Sequence, residues 1–140
     1  MTPPKDSRTL LLEAISEEEF QQQVIDLATL RGWRHYHTRD SRRSAEGFPD
    51  LILARVERKL TDLQASELKK QFLAASQDRR HIPVLAGGGA GRVIFAEMKA
   101  QKGRPSVEQR AWLALLADTG KVEVYVWRPS DFDQIVEILA

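Results

Sequence analysis

The chain has 140 residues, 42% of them hydrophobic and 29% charged, the size and composition of one ordinary globular domain. The absence of cysteine excludes a disulfide scaffold and any thiolate metal site, so a metal would be held by oxygen or imidazole and hard cations become the default. No apolar run approaches the roughly 18 residues of a membrane span, and the start "MTPPKDSRTLLLEA" lacks the layout of a secretory leader, which predicts a cytoplasmic protein with no membrane association.

The formal net charge of +1 says less than its distribution. "RGWRHYHTRDSRR" gathers Arg31, Arg34, Arg39, Arg42 and Arg43 against the single acid Asp40, and a second basic group comprises Lys99, Lys102, Arg104 and Arg110. Acidic residues concentrate at Glu17, Glu18 and Glu19, so a weak net charge is compatible with one positive face.

Residues 1–15 hold two prolines and no sustained pattern, and read as an N-terminal tail that docks through Leu10, Leu11 and Leu12. From Ser16 to the end at residue 140 the chain reads as one domain. "SEEEFQQQVIDLATLRG" has Ser16 as a cap, Glu19 three residues on as in a capping box, apolar Phe20, Val24, Leu27 and Leu30, and Gly32 as terminator. Residues 33–37, "WRHYH", predict the first strand, the polar loop "TRDSRRSAEG" follows, and "FPDLILARV" predicts the second strand, with Pro49 permissible at its start. Residues 57–91 read as an insertion, with a helix placing Ala65, Leu68, Phe72 and Ala75 on one face and "IPVLAGGGAG" as a return loop. "RVIFAEMKAQ" predicts the third strand, with a turn at Gly103 to Pro105 after it. A helix from Ser106 with Val107, Trp112, Leu113, Leu115 and Leu116 as apolar positions comes next, and "KVEVYVW" alternates into a fourth strand. Ser130, with Asp133 three residues on, reads as the cap of a last helix through Phe132, Ile135, Val136 and Leu139. The order implies an α/β fold, a small mixed sheet flanked by helices.

Three Glu-x-Lys or Glu-Arg-Lys triplets occur, although composition alone gives on the order of one in a chain this long. Glu67-Leu68-Lys69 falls in the inserted helix, where i and i+2 diverge, and Glu57-Arg58-Lys59 follows a strand with no turn residue before it. Only Glu97-Met98-Lys99 ends an apolar strand that has a partner. In a strand, Glu97 and Lys99 share a face with Val93 and Phe95, while Ile94, Ala96 and Met98 face the other way. Asp50, at the head of "DLILA", is free to sit beside Glu97, since adjacent strands lie about 4.8 Å apart. Two carboxylates that close repel unless they share a divalent ion, Mg²⁺ or Mn²⁺, which binds phosphate oxygen and acidifies water; Lys99 would orient the nucleophile or stabilise developing charge. The bland reading of the same residues is a solvated strand end.

Pro49-Asp50 followed by Glu97-Met98-Lys99 resembles the PD-(D/E)XK nuclease signature, and with the flanking helices and strands the chain resembles the VRR-NUC family over most of its length. The resemblance implies a restriction-endonuclease-like core, helix-strand-strand-strand-helix-strand with a C-terminal helix, here with a helical insertion between the second and third strands. It implies a Mg²⁺- or Mn²⁺-dependent deoxyribonuclease of bacterial or phage type, acting on structured or branched DNA such as Holliday junctions or flaps. By the same resemblance Asp50, Glu97 and Lys99 map onto the catalytic motif, Gln109 onto the helix glutamine after it, and Glu19 onto a first-helix metal ligand, with Asp50 and Glu97 completing the metal set. Glu19 has a rival explanation in its capping box, and Glu17 and Glu18 stand beside it as alternatives. The insertion is a departure from the usual short hairpin.

Arg39, Arg42 and Arg43 precede Asp50, where a phosphate backbone would pass, and Lys102 and Arg104 follow Lys99; contact with DNA is the role read for all five. His35 and His37 alternate on one strand without a third zinc ligand at a convincing spacing. A homodimer is expected because symmetric cutting of two strands needs two sites related by a two-fold axis. The reading from another class is a nucleic-acid-binding or recruitment module of nuclease fold that does not cut.

Overall fold

The computed structural model describes residues 2–38, 45–56, 62–77 and 91–140. It divides into two compact units, one comprising Met1–Arg55 with Arg92–Ala140 and the other Val56–Gly91.

The first unit opens with a helix, α1 (Ser7–Ala14), where the prolines suggested an unpatterned tail; Asp6 caps it by accepting the Thr9 N–H at 2.7 Å. Helix α2 (Glu17–Leu30) starts at the expected capping box. It ends in a Schellman turn: Gly32 at φ +82° lets the Trp33 N–H reach the Ala28 carbonyl at 2.9 Å and its own N–H reach that of Thr29 at 3.1 Å. The buried stripe is Phe20, Val24, Ile25 and Ala28, so the expected inward role of Leu30, which is 82% exposed, is not met.

Strands β1 (Arg34–His37), β2 (Leu51–Arg55), β3 (Arg92–Met98) and β4 (Glu123–Trp127) form one sheet in that order. The first three are antiparallel neighbours, while β4 runs parallel to β3 because α4 (Val107–Asp118) carries the chain back between them. Leu51 and Leu53 lie opposite Ala96 and Ile94. These four, with Met98 and Trp127, pack with the α2 stripe, Trp33 and Ile135 and Leu139 in one apolar cluster. On the other face Ile52, Phe95 and Val124 are half-buried, and the Phe48 ring meets Phe95 at 6.0 Å and Trp112 at 5.1 Å, both edge-on. Val107 and Leu115 of α4, expected among its apolar contacts, are exposed, and only Leu113 of that helix is buried.

After β4 the chain makes a 3-10 turn (Pro129–Asp131) before α5 (Phe132–Ile138). Pro129 opens that turn, so Ser130 is inside it and not the cap of α5; its hydroxyl accepts from Gln101 Nε2 at 2.9 Å. The carbonyls at the end of α5 are satisfied from outside: Trp33 Nε1 and Arg55 donate to Leu139, both at 3.0 Å, and Arg92 donates to Ile138 at 2.9 Å. Both guanidinium groups stack on the Trp33 ring, at 4.5 and 5.1 Å.

Arg55 and Arg92 are also opposite partners in β2 and β3, at the end of the ladder where the chain leaves for the second unit and returns. That unit contains α3 (Asp62–Gln77). Glu67 and Lys69 are exposed on it, as expected of a helical triplet whose members diverge. The side chains of Ala65, Leu68, Phe72 and Ala75, the Glu57 triplet and the glycine-rich loop lie outside the described residues. The mixed four-stranded sheet with its helices is the restriction-endonuclease-like α/β arrangement expected.

Leu53 is fully buried in the central ladder, so Leu53→Ala is expected to lower unfolding free energy by about 3 kcal/mol. Leu30→Ala should change it by less than about 0.5 kcal/mol. Urea denaturation of the two variants checks the contrast.

Candidate active site

The antiparallel register of β2 and β3, continued one pair past Leu51 and Ala96, sets Asp50 opposite Glu97. Asp50 is held there by both halves of the residue: its carbonyl accepts the Thr38 N–H and its Oδ2 accepts the Met98 N–H, each at 3.0 Å. The residues before it fix its approach. Pro49 is buried, Phe48 sits in the aromatic trio with Phe95 and Trp112, and Gly47 adopts φ +82° against the first turn of α4. A Cβ at Gly47 would lie 2.5 Å from the Glu108 carbonyl carbon and 2.7 Å from the Gln109 nitrogen, both backbone atoms that cannot swing aside. Space and conformation both demand glycine there.

Glu97 is fully buried, an unusual state for a carboxylate. Its Oε1 accepts from Gln109 Nε2 at 2.6 Å and pairs with Lys99 Nζ at 3.0 Å, whereas its Oε2 is buried and accepts from no described residue. Gln109 cannot turn its amide freely, because its Oε1 takes the Ser106 N–H at 2.8 Å in the capping box of α4, which leaves Nε2 to face Glu97. Burial, and then the charge of Asp50, push the Glu97 carboxyl up to about 7 against the opposing pull of Lys99. Lys99 itself is 8% exposed and also lies 3.7 Å from Glu17 Oε1.

The structure thus brings together four of the expected residues, Asp50, Glu97, Lys99 and Gln109. It does not bring Glu19 to them: that side chain accepts the Ser16 N–H at 3.1 Å, closing the capping box. Its place is taken by Glu17, two residues earlier. Among the described residues one group of three potential ligands converges, Glu17, Asp50 and Glu97, with one oxygen of each within 4.8 Å of the others. The capping box carried a signal against Glu19, since an N3 carboxylate already bonded to the cap cannot also reach a ligand, but it did not choose between Glu17 and Glu18. Lys102 and Arg104 are exposed in the loop after β3, and Arg39, Arg42 and Arg43 lie outside the described residues. The rings of His35 and His37 stack with centroids 6.3 Å apart and do not enter the carboxylate group. Trp33 and Trp127 belong to the core, and Trp112 to its margin.

The donor set fits a hard divalent cation: three carboxylates, no sulfur or imidazole, and one buried oxygen that nothing among the described residues satisfies. A buried carboxylate facing a second one is held at a cost that a cation would relieve.

The family model of the VRR-NUC domain matches residues 5–130, nearly the whole chain. No curated protein and no solved structure matched. The chain belongs to the VRR-NUC family of nucleases, which carries with it DNA as the substrate class. No helix among the described residues is long and apolar enough to cross a membrane.

Gly47→Ala is expected to leave the sheet folded but to lift residues 47–50 from α4, lowering the melting temperature and weakening divalent-ion binding at least tenfold, read by calorimetry beside a thermal melt. A second expectation concerns pH. Glu97 carries more protons folded than unfolded between about 4.5 and 7, so in metal-free protein its contribution to stability is complete below that window and is lost as pH rises through it. Thermal melts in EDTA from pH 5 to 8 should show a fall in wild type that is absent in Glu97→Gln.

Proposed function

We propose, taking membership of the VRR-NUC family as premise, that this chain is a divalent-metal-dependent DNA endonuclease that hydrolyses phosphodiester bonds. The observation that carries the reading is the convergence of Glu17, Asp50 and Glu97, one oxygen of each within 4.8 Å of the others, with Glu97 Oε2 buried and unsatisfied among the described residues and Lys99 at 3.0 Å from the Oε1 of the same carboxylate. Glu17, Asp50 and Glu97 are the residues that would hold Mg²⁺ or Mn²⁺. When bound, such an ion supplies Lewis-acid charge at a phosphate and acidity to water.

The chain's own groups do the rest. Gln109, locked by its cap, donates to Glu97 Oε1 and so fixes the orientation of that carboxylate. Lys99 offers its ammonium protons to the attacking water or to the phosphoryl oxygen, orienting one and stabilising charge on the other. Its position is fixed by backbone as well, through its N–H to the Trp127 carbonyl at 2.9 Å. Arg39, Arg42, Arg43, Lys102 and Arg104 grip the phosphate backbone, a contact that carries no sequence information and weakens with salt.

The reading extends to branched DNA, of junction or flap type, through the likeness of the motif order to stand-alone members of the family. It extends to a homodimer through geometry, because one such site cuts one strand and symmetric cleavage calls for two.

Labelled four-way junction, flap and plain duplex, each incubated with Mg²⁺, Mn²⁺ or EDTA, test the proposal. Cleavage is expected with either metal and not with EDTA, with branched substrates cut fastest. Glu97→Gln and Lys99→Ala should lower cleavage at least about 100-fold while retaining fold and most DNA binding. DNA bound by wild-type protein but never cut in the presence of metal would favour a recruitment module instead.

A further inference from the structure

Beside Lys99 the chain builds a second basic feature that is separate from the carboxylate cluster. Gln101, Lys102, Gly103, Arg104 and Arg128 line a cleft of about 470 Å³ that contains three cationic side chains and no carboxylate. Three ties hold its walls in place. The Gly103 N–H bonds the Ala100 carbonyl at 2.8 Å. Arg128 donates from Nε and Nη2 to the Gly103 carbonyl at 3.1 and 3.0 Å. Gln101 exchanges two hydrogen bonds with Ser130, at 2.9 and 3.0 Å. The loop backbone is therefore tied between the end of β3 and the 3-10 turn, and of its cations Arg128 is held by its guanidinium while Lys102 and Arg104 are exposed.

Their charge is incompletely answered. Arg128 is half-buried yet forms no ion pair with a described residue; Asp131, its nearest acid in the chain, instead accepts the Arg128 backbone N–H at 2.9 Å. Arg104 is exposed and also forms no ion pair among the described residues. Lys102 lies 3.4 Å from Glu13, but that carboxylate is shared with Lys5 at 2.6 Å. A half-buried guanidinium anchored along one edge keeps its remaining N–H groups in a fixed fork, the geometry that suits phosphate oxygens. The cleft also adjoins the catalytic lysine. A Cβ at Gly103 would stand 3.3 Å from Lys99 Cδ, so the loop runs along the stem whose ammonium meets Glu97.

We propose that this cleft is a subsite for one backbone phosphodiester of the DNA strand, adjacent to the bond that is cut, with Arg128 and Arg104 as its principal donors. The inference rests on the nuclease reading above and adds to it a fixed register between strand and site. Arg128 enters here from β4's end through its Gly103 contact, not from the basic runs of the sequence.

The test uses the full chain with Mg²⁺ and substrates in which a single uncharged methylphosphonate linkage is walked through the positions flanking the cut. In wild type, one linkage near the scissile bond should raise KM about tenfold with kcat little changed. In Arg104→Gln and Arg128→Gln that same linkage should bring no further penalty. Arg104→Gln, an exposed position, should keep the wild-type melting temperature and lower the slope of log affinity against log salt by about 1. A flat wild-type profile, or an unchanged penalty at the same linkage in both variants, overturns the subsite. Wild-type protein that neither binds nor cuts DNA overturns the nuclease reading and the subsite with it, whereas cutting with a flat profile overturns the subsite alone.

Discussion

The structure turns on a carboxylate buried where an apolar side chain would be more stable. Glu97 interrupts the apolar run Val93–Met98 near the end of β3, opposite Asp50 and within reach of Glu17, and among the described residues only one of its oxygens is hydrogen-bonded. Two acids so close in a low-dielectric setting repel each other, and desolvation adds to the cost, which is why one proton is retained up to near neutrality. A domain of this size has little stability to spare, so such an arrangement is costly to the fold. Lys99 and Gln109 temper the repulsion without removing it, since both bind Oε1 and leave Oε2 alone.

Much of the rest of the first unit holds this conflict in place. The antiparallel ladder sets the two acids in register, and the Asp50 Oδ2 contact with the Met98 N–H locks that register at its end. Helix α4 serves twice: its cap orients Gln109, and its first turn seats Gly47 and hence the loop that leads to Asp50. Helix α2 contributes Glu17 from its first turn while its stripe fills the core beneath. At the other end of β2 and β3, Arg55 and Arg92 close the C-terminal carbonyls and stack on Trp33.

What the sequence disclosed follows the range of its signals. Side-chain alternation placed Glu97 and Lys99 on one face, and the order of strands put Asp50 beside them, because both depend on periodicity and adjacency. The capping box set Glu19 aside, but Glu17 was not separable from Glu18, since consecutive residues fan around a helix and only the seating of that helix on the sheet decides which one meets Asp50 and Glu97. Helix α1 was obscured by Pro3 and Pro4, although Asp6 supplies its cap. Ser130 was misjudged as the cap of α5 because its true partner, Gln101, is 29 residues away in the chain. Long-range hydrogen bonds of this kind leave no local pattern, and the Arg128 contact with Gly103 belongs with them.

If the facing carboxylates of Asp50 and Glu97 hold a divalent ion, binding must displace the proton that Glu97 retains. Titration calorimetry with Mn²⁺ at pH 7, repeated in buffers of different ionisation enthalpy, measures this directly. The expected result is binding accompanied by proton release in wild type, with both strongly reduced in Glu97→Gln. Binding of equal strength in the variant, or none in wild type, would contradict the assignment of this site.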